Sequence, residues 1–295
     1  MNYDTLCLSS GGIYGISYIG ALDYLIETKI LNLNNIKNFV GTSIGTIFLF
    51  FIILNYSIKD INDLIINMNF DKFESELNIE NVLKNHGIND GKKIIIMLNF
   101  LLKKKFNLDD ITFKELYLNY NKNFIIIGTN FSKGSEEVFN YINTPDMSII
   151  TAIRISISIP LFFTPVLYNN QYYVDGALTN IFPINHCNQE TTIAINLPYS
   201  SEYTINNIFD VFLNSLQIVA KSISCKNKCI ITDNIINIEC NEFSSSCDFK
   251  ITLEKKIFFI NVGRESAIKH INNSNLHIKI TCNDILNDII NNIKY

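Results

Sequence analysis

Apolar residues along this chain alternate between short continuous runs and helix-spaced repeats, the pattern of an α/β fold in which strands and helices take turns. Strands are predicted near Thr5 to Leu8, Asn38 to Val40, Phe124 to Ile127, Val138 to Tyr141, Val166 to Val174 and Thr192 to Leu197. The run from Val166 folds back on itself, because Asn169-Asn170 supplies a hairpin turn between Val166-Leu167-Tyr168 and Gln171 to Val174. Ile16, Ile19, Leu22 and Ile26 recur on one helical face after the first strand. Ile47 to Leu54 is apolar throughout and too short to span a bilayer, so it is predicted to be a buried helix. Beyond Tyr199 one helix is predicted from Ile205 to Lys221, followed by short strands near Ile230 and Ile236. A last helical stripe, Ile285, Leu286, Ile289, Ile290 and Ile293, begins after Asn283. Its polar face carries Asp284 and Asp288, so docking against the core is expected there.

The chemistry concentrates where strands pass into turns. Gly41-Thr42-Ser43-Ile44-Gly45 follows the second strand and leads into the buried helix. Two readings fit: a glycine-rich turn capped by Ser43, or a nucleophile elbow that presents the Ser43 hydroxyl at a helix N-terminus. In an elbow, Gly41 and Gly45 remove Cβ atoms that would clash in so sharp a turn, and the helix dipole favours negative charge developing during acyl transfer. After the first strand, Ser9-Ser10-Gly11-Gly12-Ile13-Tyr14-Gly15 forms a second glycine loop at a helix start, with unpaired N–H groups able to bind a phosphate or an oxyanion. A dinucleotide fingerprint needs glycine where Ser10 stands and an acidic residue near the end of the second strand, where this chain has Gly41, Thr42 and Ser43. An oxyanion hole beside a nucleophile fits both segments. The third element, Asp175-Gly176-Ala177, leaves the second arm of the hairpin, so Asp175 sits at a strand exit from which its carboxylate can reach a neighbouring turn.

With these three elements the chain resembles the patatin-like phospholipases, serine acyl hydrolases with a Ser/Asp dyad. Their motifs are a Gly-Gly-Gly-x-Arg/Lys-Gly loop, a Gly-x-Ser-x-Gly elbow and an Asp-Gly-Gly/Ala triplet, and here Ser10 to Gly15, Gly41 to Gly45 and Asp175 to Ala177 occur in that order. The approach to the aspartate strand, Ala152-Ile153-Arg154-Ile155-Ser156 through Ile159-Pro160, Phe163 and Pro165-Val166, is also similar, as are Thr112 to Leu116 and Thr144-Pro145-Asp146. The resemblance spans about Tyr3 to Leu197. It implies a three-layer α/β/α fold with a mainly parallel central sheet, a catalytic Ser43 and Asp175, and an oxyanion hole from the N–H groups of Gly11 and Gly12, with Ile44 as a third donor by analogy with other elbows. Gly15, Gly41, Gly45 and Gly176 support those motifs. Two departures fall in the first loop: Ser10 replaces a glycine, and Tyr14 replaces a basic residue that the family uses toward anionic lipid. The expected organisation is a catalytic domain over residues 1–200, with a helical insertion at about 57–122, and a C-terminal region over 201–295 packed on the same domain.

The implied reaction is phospholipase A-type cleavage of fatty-acyl esters in membrane or micellar phospholipid, with no metal or organic cofactor. The rivals are a catalytically silent lipid-binding protein of the same fold and a Ser-Asp-His esterase using His186. Of His86, His186, His270 and His277, those after Asp175 keep the Ser, Asp, His chain order. His186, following Pro183, is expected to cap or pack a loop rather than to act in catalysis.

Composition narrows the partners. The 295 residues are 47% hydrophobic and 18% charged, enough for a large core, and a net charge of -4 speaks against general nucleic-acid binding. Met1-Asn2-Tyr3-Asp4 has neither a basic region nor an apolar signal core, and Asn2 stands where myristoylation needs glycine. The seven cysteines then suggest a reducing compartment, the cytoplasm. Cys225, Cys229, Cys240 and Cys247 are spaced more widely than structural zinc ligands, so ordinary thiols are expected. Within the insertion, Ile94 to Leu102 is flanked by Lys92, Lys93 and Lys103 to Lys105. This segment is expected to be a buried helix with snorkelling ends, the alternative being peripheral contact with a lipid surface.

Overall fold

The computed structural model describes residues 3–73, 79–198, 205, 211–212, 214–219, 234–240 and 250–292. The chain opens with β1 (Thr5–Leu8), a 3-10 turn at Gly12–Ile16 and α1 (Ser17–Glu27), then β2 (Asn38–Thr42) and α2 (Ile44–Ile53). Residues 58–120 supply α3 (Ile58–Asn67), α4 (Ile79–Asn85), β3 (Gly87–Asn89), α5 (Lys92–Phe106) and α6 (Phe113–Tyr120). Next come β4 (Asn123–Asn130), β5 (Ser135–Phe139), α7 (Ile149–Ser156), β6 (Leu161–Phe163), β7 (Val166–Tyr168) and β8 (Gln171–Asp175). β9 (Thr192–Asn196), β10 (Ile235–Asn237) and α8 (Leu253–Asn292) follow.

The main sheet is mostly parallel: β10, β9, β1, β2 and β4 lie side by side in that order, all in one direction. β5 and β8 are antiparallel to β4. β2 pairs with β4 as far as Thr42 opposite Ile127, and β8 pairs with it from Asp175 opposite Gly128. β5 overlaps both stretches and therefore holds the other edge of β4. β2 and β8 thus share one edge of β4, end to end.

The period-two alternation of the strands divides the core. Leu6, Leu8, Phe39, Phe124, Ile126, Ile193 and Ile195 join the helices in one large apolar cluster, while Cys7, Val40 and Ala194 point to the opposite face. That second face is covered by Phe182, Ile184 and Cys187 around the 3-10 turn Ile184–His186. α2 is buried along almost its whole length, as its continuous apolar run requires. Asn169 and Asn170 both have positive φ, at 48° and 60°, the turn conformation that closes a two-residue hairpin.

The structure departs from the sequence expectation in three places. A small parallel pair, β3 with β6, ties the segment between α4 and α5 to the one before the hairpin. α5 buries Ile94, Leu98, Leu101 and Leu102 but leaves Ile96 and Phe100 exposed. The final helix begins not after Asn283 but at Leu253, running unbroken to Asn292. Lys255, Lys256, Gly263, Arg264 and Glu265 interrupt its apolar pattern. Residues 211–212 and 214–219 are helical, within the span predicted from Ile205 to Lys221, whereas Ile230 and the side chains of the stripe from Ile285 to Ile293 lie outside those described.

Gly263 is the reason α8 can lie so close to α1. A Cβ there would stand 1.9 Å from the Ser17 carbonyl oxygen, and one at Gly20 would stand 1.8 Å from that of Ile260. Arg264 bridges Asp23 at 2.9 Å and also Glu27 across the same crossing, but these exposed pairs add little. Lys256 is buried and donates to the carbonyls of Ile66 and Met68 at 3.1 and 2.5 Å, tying α8 to the C-terminal end of α3. Gly20→Ala or Gly263→Ala should therefore lower the unfolding free energy by about 1–3 kcal/mol despite the better helix propensity of alanine. Arg264→Ala should cost less than about 1 kcal/mol. Urea titration measures all three, and undiminished stability in both glycine variants would refute backbone contact at this crossing.

Candidate active site

Ser43 stands between β2 and α2 with φ 52° and ψ −125°, a conformation that a non-glycine residue adopts at a cost of about 1–3 kcal/mol. The flanking glycines make that turn possible. A Cβ at Gly45 would lie 2.6 Å from the carbonyl oxygens of both Leu8 and Ser9, and one at Gly41 would lie 2.7 Å from Leu49 Cδ1. Ser43 donates its N–H to Ser156 Oγ at 2.9 Å, and Ser156 in turn donates to the Ile127 carbonyl at 2.5 Å. The last turn of α7 therefore holds the strained residue in place.

Asp175 arrives at the same point because β8 continues along the β4 edge that β2 vacates. Ser43 Oγ donates directly to Asp175 Oδ2 at 2.7 Å, and the Ala177 N–H donates to Oδ1 at 2.8 Å. The Asp175 N–H is held by the Ser158 carbonyl at 2.9 Å, and its own carbonyl accepts from Thr129 Oγ1 at 2.8 Å. Gly176 lets the chain turn away here, since a Cβ would lie 2.2 Å from the Ile127 carbonyl oxygen. Asp175 is 1% exposed, and burial pushes its carboxyl up to about 7, against the lowering effect of the bonds from Ser43 and Ala177. A hydroxyl bonded to a carboxylate of that basicity is suited to proton transfer near neutral pH.

The first glycine loop packs against the elbow: a Cβ at Gly15 would stand 2.6 Å from Ile44 Cγ1. Gly12 has φ 55°, and Leu197 closes over Gly11, where a Cβ would be 2.4 Å from Leu197 Cδ1. Among the described residues the N–H groups of Gly11, Gly12 and Ile44 have no hydrogen-bond acceptor, whereas that of Ser43 is committed to Ser156. Buried Ser9 anchors the loop by donating to the Ser10 carbonyl at 2.8 Å and accepting from the Leu197 N–H at 2.8 Å. Tyr18 donates to the Ser9 carbonyl at 2.7 Å. Tyr14, in the place of a basic residue, packs edge-on against Phe259 of α8 at 5.5 Å between ring centroids.

His186 is drawn elsewhere. Its Nε2 lies 2.5 Å from Glu136 Oε1 on β5. Burial opposes ionisation of Glu136, but the bond and charge of His186 hold its carboxyl below the usual range. No imidazole intervenes in the Ser43 to Asp175 bond.

Sequence reasoning missed the supports. Arg154, 4% exposed, donates to Ser158 Oγ, to the Asp90 carbonyl at 3.1 and 3.3 Å and to the Thr164 carbonyl at 3.0 Å. Burial lowers its guanidinium to about 10. Arg154 and Ser156 are polar positions in the largely apolar α7 and Ser158 follows its end, which was the available signal; nothing local marked Thr129, or Ser9 within the first loop, as a support. Among the described residues no group of three or more His, Cys, Asp or Glu side chains is arranged to hold a metal, and no helix is long and apolar enough to cross a membrane. Cys7 and Cys240 are buried free thiols, and Cys225, Cys229 and Cys247 lie outside the described residues.

Known proteins with related sequences include an uncharacterized protein of Acanthamoeba polyphaga mimivirus, 27% identical over 90% of this chain and 93% of its own length. A probable lipid hydrolase of Invertebrate iridescent virus 6 is 33% identical, over 62% of each chain. Among solved structures, VipD from Legionella pneumophila superimposes with a TM-score of 0.64 at 16% identity, covering 92% of this chain and 67% of VipD. ExoU of Pseudomonas aeruginosa, in complex with SpcU, gives 0.51 at 16% identity, and this chain spans about half of it, 52%. These likenesses establish the shared fold. The family model for patatin-like phospholipase matches residues 6–187, a span that includes the glycine loop, the elbow and the Asp-Gly-Ala turn, and the chain belongs to the patatin-like phospholipase family.

Proposed function

We propose that the protein is a phospholipase A-type acyl hydrolase in which Ser43 is the nucleophile, Asp175 the base, and Gly11 and Gly12 the oxyanion donors. The direct 2.7 Å bond from Ser43 Oγ to Asp175 Oδ2 carries this reading. Ser43 Oγ attacks the ester carbonyl carbon while its proton passes to Asp175, and the oxyanion is held by the free N–H groups of the first loop. Collapse of the tetrahedral intermediate expels the leaving alkoxide, which takes the proton from Asp175. Water then gives a proton to Asp175 and attacks the acyl-serine; Ser43 leaves, recovers that proton, and the fatty acid is released. The lipid-hydrolase relative supports an ester of a lipid as substrate. The relatives encoded by two viruses, and the free thiols Cys7, Cys187 and Cys240, support action in the reducing interior of a host cell.

Ser43→Ala and Asp175→Asn should each reduce hydrolysis of phospholipid and of a short-chain ester by about 10⁴ or more, and the double variant should be little worse. Labelling with a fluorophosphonate should modify Ser43 in the wild type. Multiplicative losses, or no labelling of a folded protein, would remove the dyad, and the second result would favour a silent lipid-binding role.

Because Asp175 must be ionised to accept a proton and is held up to about 7, kcat/KM should rise with pH through an inflection near that value. A profile already flat from pH 5 upward would contradict its role as base.

The same shift affects stability in the opposite sense. The folded-state value lies above the 3.8 of an ordinary aspartate, so the folded chain keeps a proton that the unfolded chain releases. This group's contribution is complete below about pH 4 and is lost as pH rises through about 7. Asp175→Asn should therefore be more stable than wild type at pH 8, by up to about 4 kcal/mol, and lose that advantage near pH 4. Thermal melts at the two pH values decide it; a constant difference would mean that burial does not strain the carboxylate.

A further inference from the structure

Two turns lie at the end of the sheet where Ser43 and Asp175 meet, beyond the β4 residues paired with Thr42 and Asp175. One joins β4 to β5 and carries Phe131, Ser132, Lys133 and Gly134; the other is the β7–β8 hairpin with its Asn169-Asn170 tip. They are fastened together: the Phe131 N–H donates to the Tyr172 carbonyl at 2.8 Å, and the Tyr172 N–H donates to Ser132 Oγ at 2.9 Å. Leu167 and Tyr172 are cross-strand partners and so lie on one face. Phe131 is 62% exposed, Leu167 59% and Tyr172 47%, so the joined tips present three large apolar side chains to solvent. Three such side chains gathered on two turns that are hydrogen-bonded to each other mark a contact surface.

Charge and position identify the occupant. Across residues 131–134 and 167–172 the sole ionisable side chain other than tyrosine is Lys133, which is exposed. Of the acidic residues that follow this turn in β5, Glu136 pairs with His186 and Glu137 accepts from Asn130 Nδ2 at 3.1 Å. Aromatic and aliphatic side chains with a cation and no carboxylate match the boundary between headgroups and acyl chains of an anionic bilayer. Tyr172 lies three residues from Asp175 along β8, about 10 Å at the rise of an extended strand. A bilayer contacting the tips is therefore within one lipid's reach of the dyad.

The lysine-flanked helix α5 does not offer this geometry. Its N-terminal end lies by Arg154, but Lys105 reaches Asn55 and Tyr56, beyond the end of α2 remote from Ser43. Its exposed Ile96 and Phe100 lie between those ends.

We propose that the joined tips, through Phe131, Leu167, Tyr172 and Lys133, are the surface by which the protein docks on an anionic lipid bilayer. The proposal rests on the hydrolase reading for its choice of partner, yet it can be tested separately.

The chain contains no tryptophan, so Phe131→Trp creates a single reporter. Its emission should shift to the blue with mixed phosphatidylcholine and phosphatidylserine vesicles, whereas Ile96→Trp on α5 should not respond. A Phe131→Ser and Leu167→Ser double variant should lose vesicle sedimentation and vesicle-phospholipid hydrolysis by about tenfold or more, while turnover of a water-soluble short-chain ester stays unchanged. Lys133→Gln should weaken binding to the anionic vesicles by about fivefold, leave binding to pure phosphatidylcholine unaltered, and lose its effect at high salt. A silent reporter on a protein that sediments with vesicles, or a double variant that binds like wild type, overturns the proposal. Wild type that cleaves the soluble ester but ignores vesicles also overturns it and points to a protein partner for the tips. Wild type that docks through the tips yet cleaves no ester upholds the surface and removes the hydrolase reading instead.

Discussion

One edge of β4 decides where everything else in the site can stand. β2 occupies that edge up to Ile127 and β8 takes it over at Gly128, running the opposite way, so the last residues of both strands meet head to head. Ser43 and Asp175 are 132 residues apart in sequence, and this register brings them to hydrogen-bond distance. A slip of one residue in β8 would turn the Asp175 side chain to the other face of the sheet. Much of the polar network serves this junction: Ser156 holds the Ser43 N–H, Ser158 holds the Asp175 N–H, and Thr129 holds the Asp175 carbonyl. Arg154 secures the Ser158 turn to Asp90 and to the segment before the hairpin.

The junction is also where the molecule carries its costs. Ser43 has a backbone conformation unfavourable for any residue with a Cβ, and Asp175 carries a carboxylate into a site with almost no exposure. Both costs would serve the proposed acyl transfer. The strained turn presents the hydroxyl at the start of α2, and burial makes the carboxylate a stronger base than an exposed aspartate. The surrounding core offsets these terms, with α2 buried behind the elbow and α8 pressed onto α1 through glycine contacts.

What the chain specified by itself is local. The turn at Gly41 to Gly45, the exit of Asp175 from a strand, the Asn169-Asn170 hairpin and the buried helix behind Ser43 each follow from the backbone and burial needs of a few contiguous residues. The ordered set of motifs was specific enough to indicate the family. Contacts between distant segments decided the rest, and they leave no mark in a local pattern. Gly263, a residue of poor helix propensity, is where α8 crosses α1, and the helix passes straight through it. His186 kept a plausible chain order, yet folding pairs it with Glu136. Ser9 and Thr129 look like ordinary strand-end residues until their partners arrive from 188 and 46 positions away. The basicity of Asp175 is likewise a property of its desolvation, which exists only once β8 is packed between β4 and the turn that follows α7.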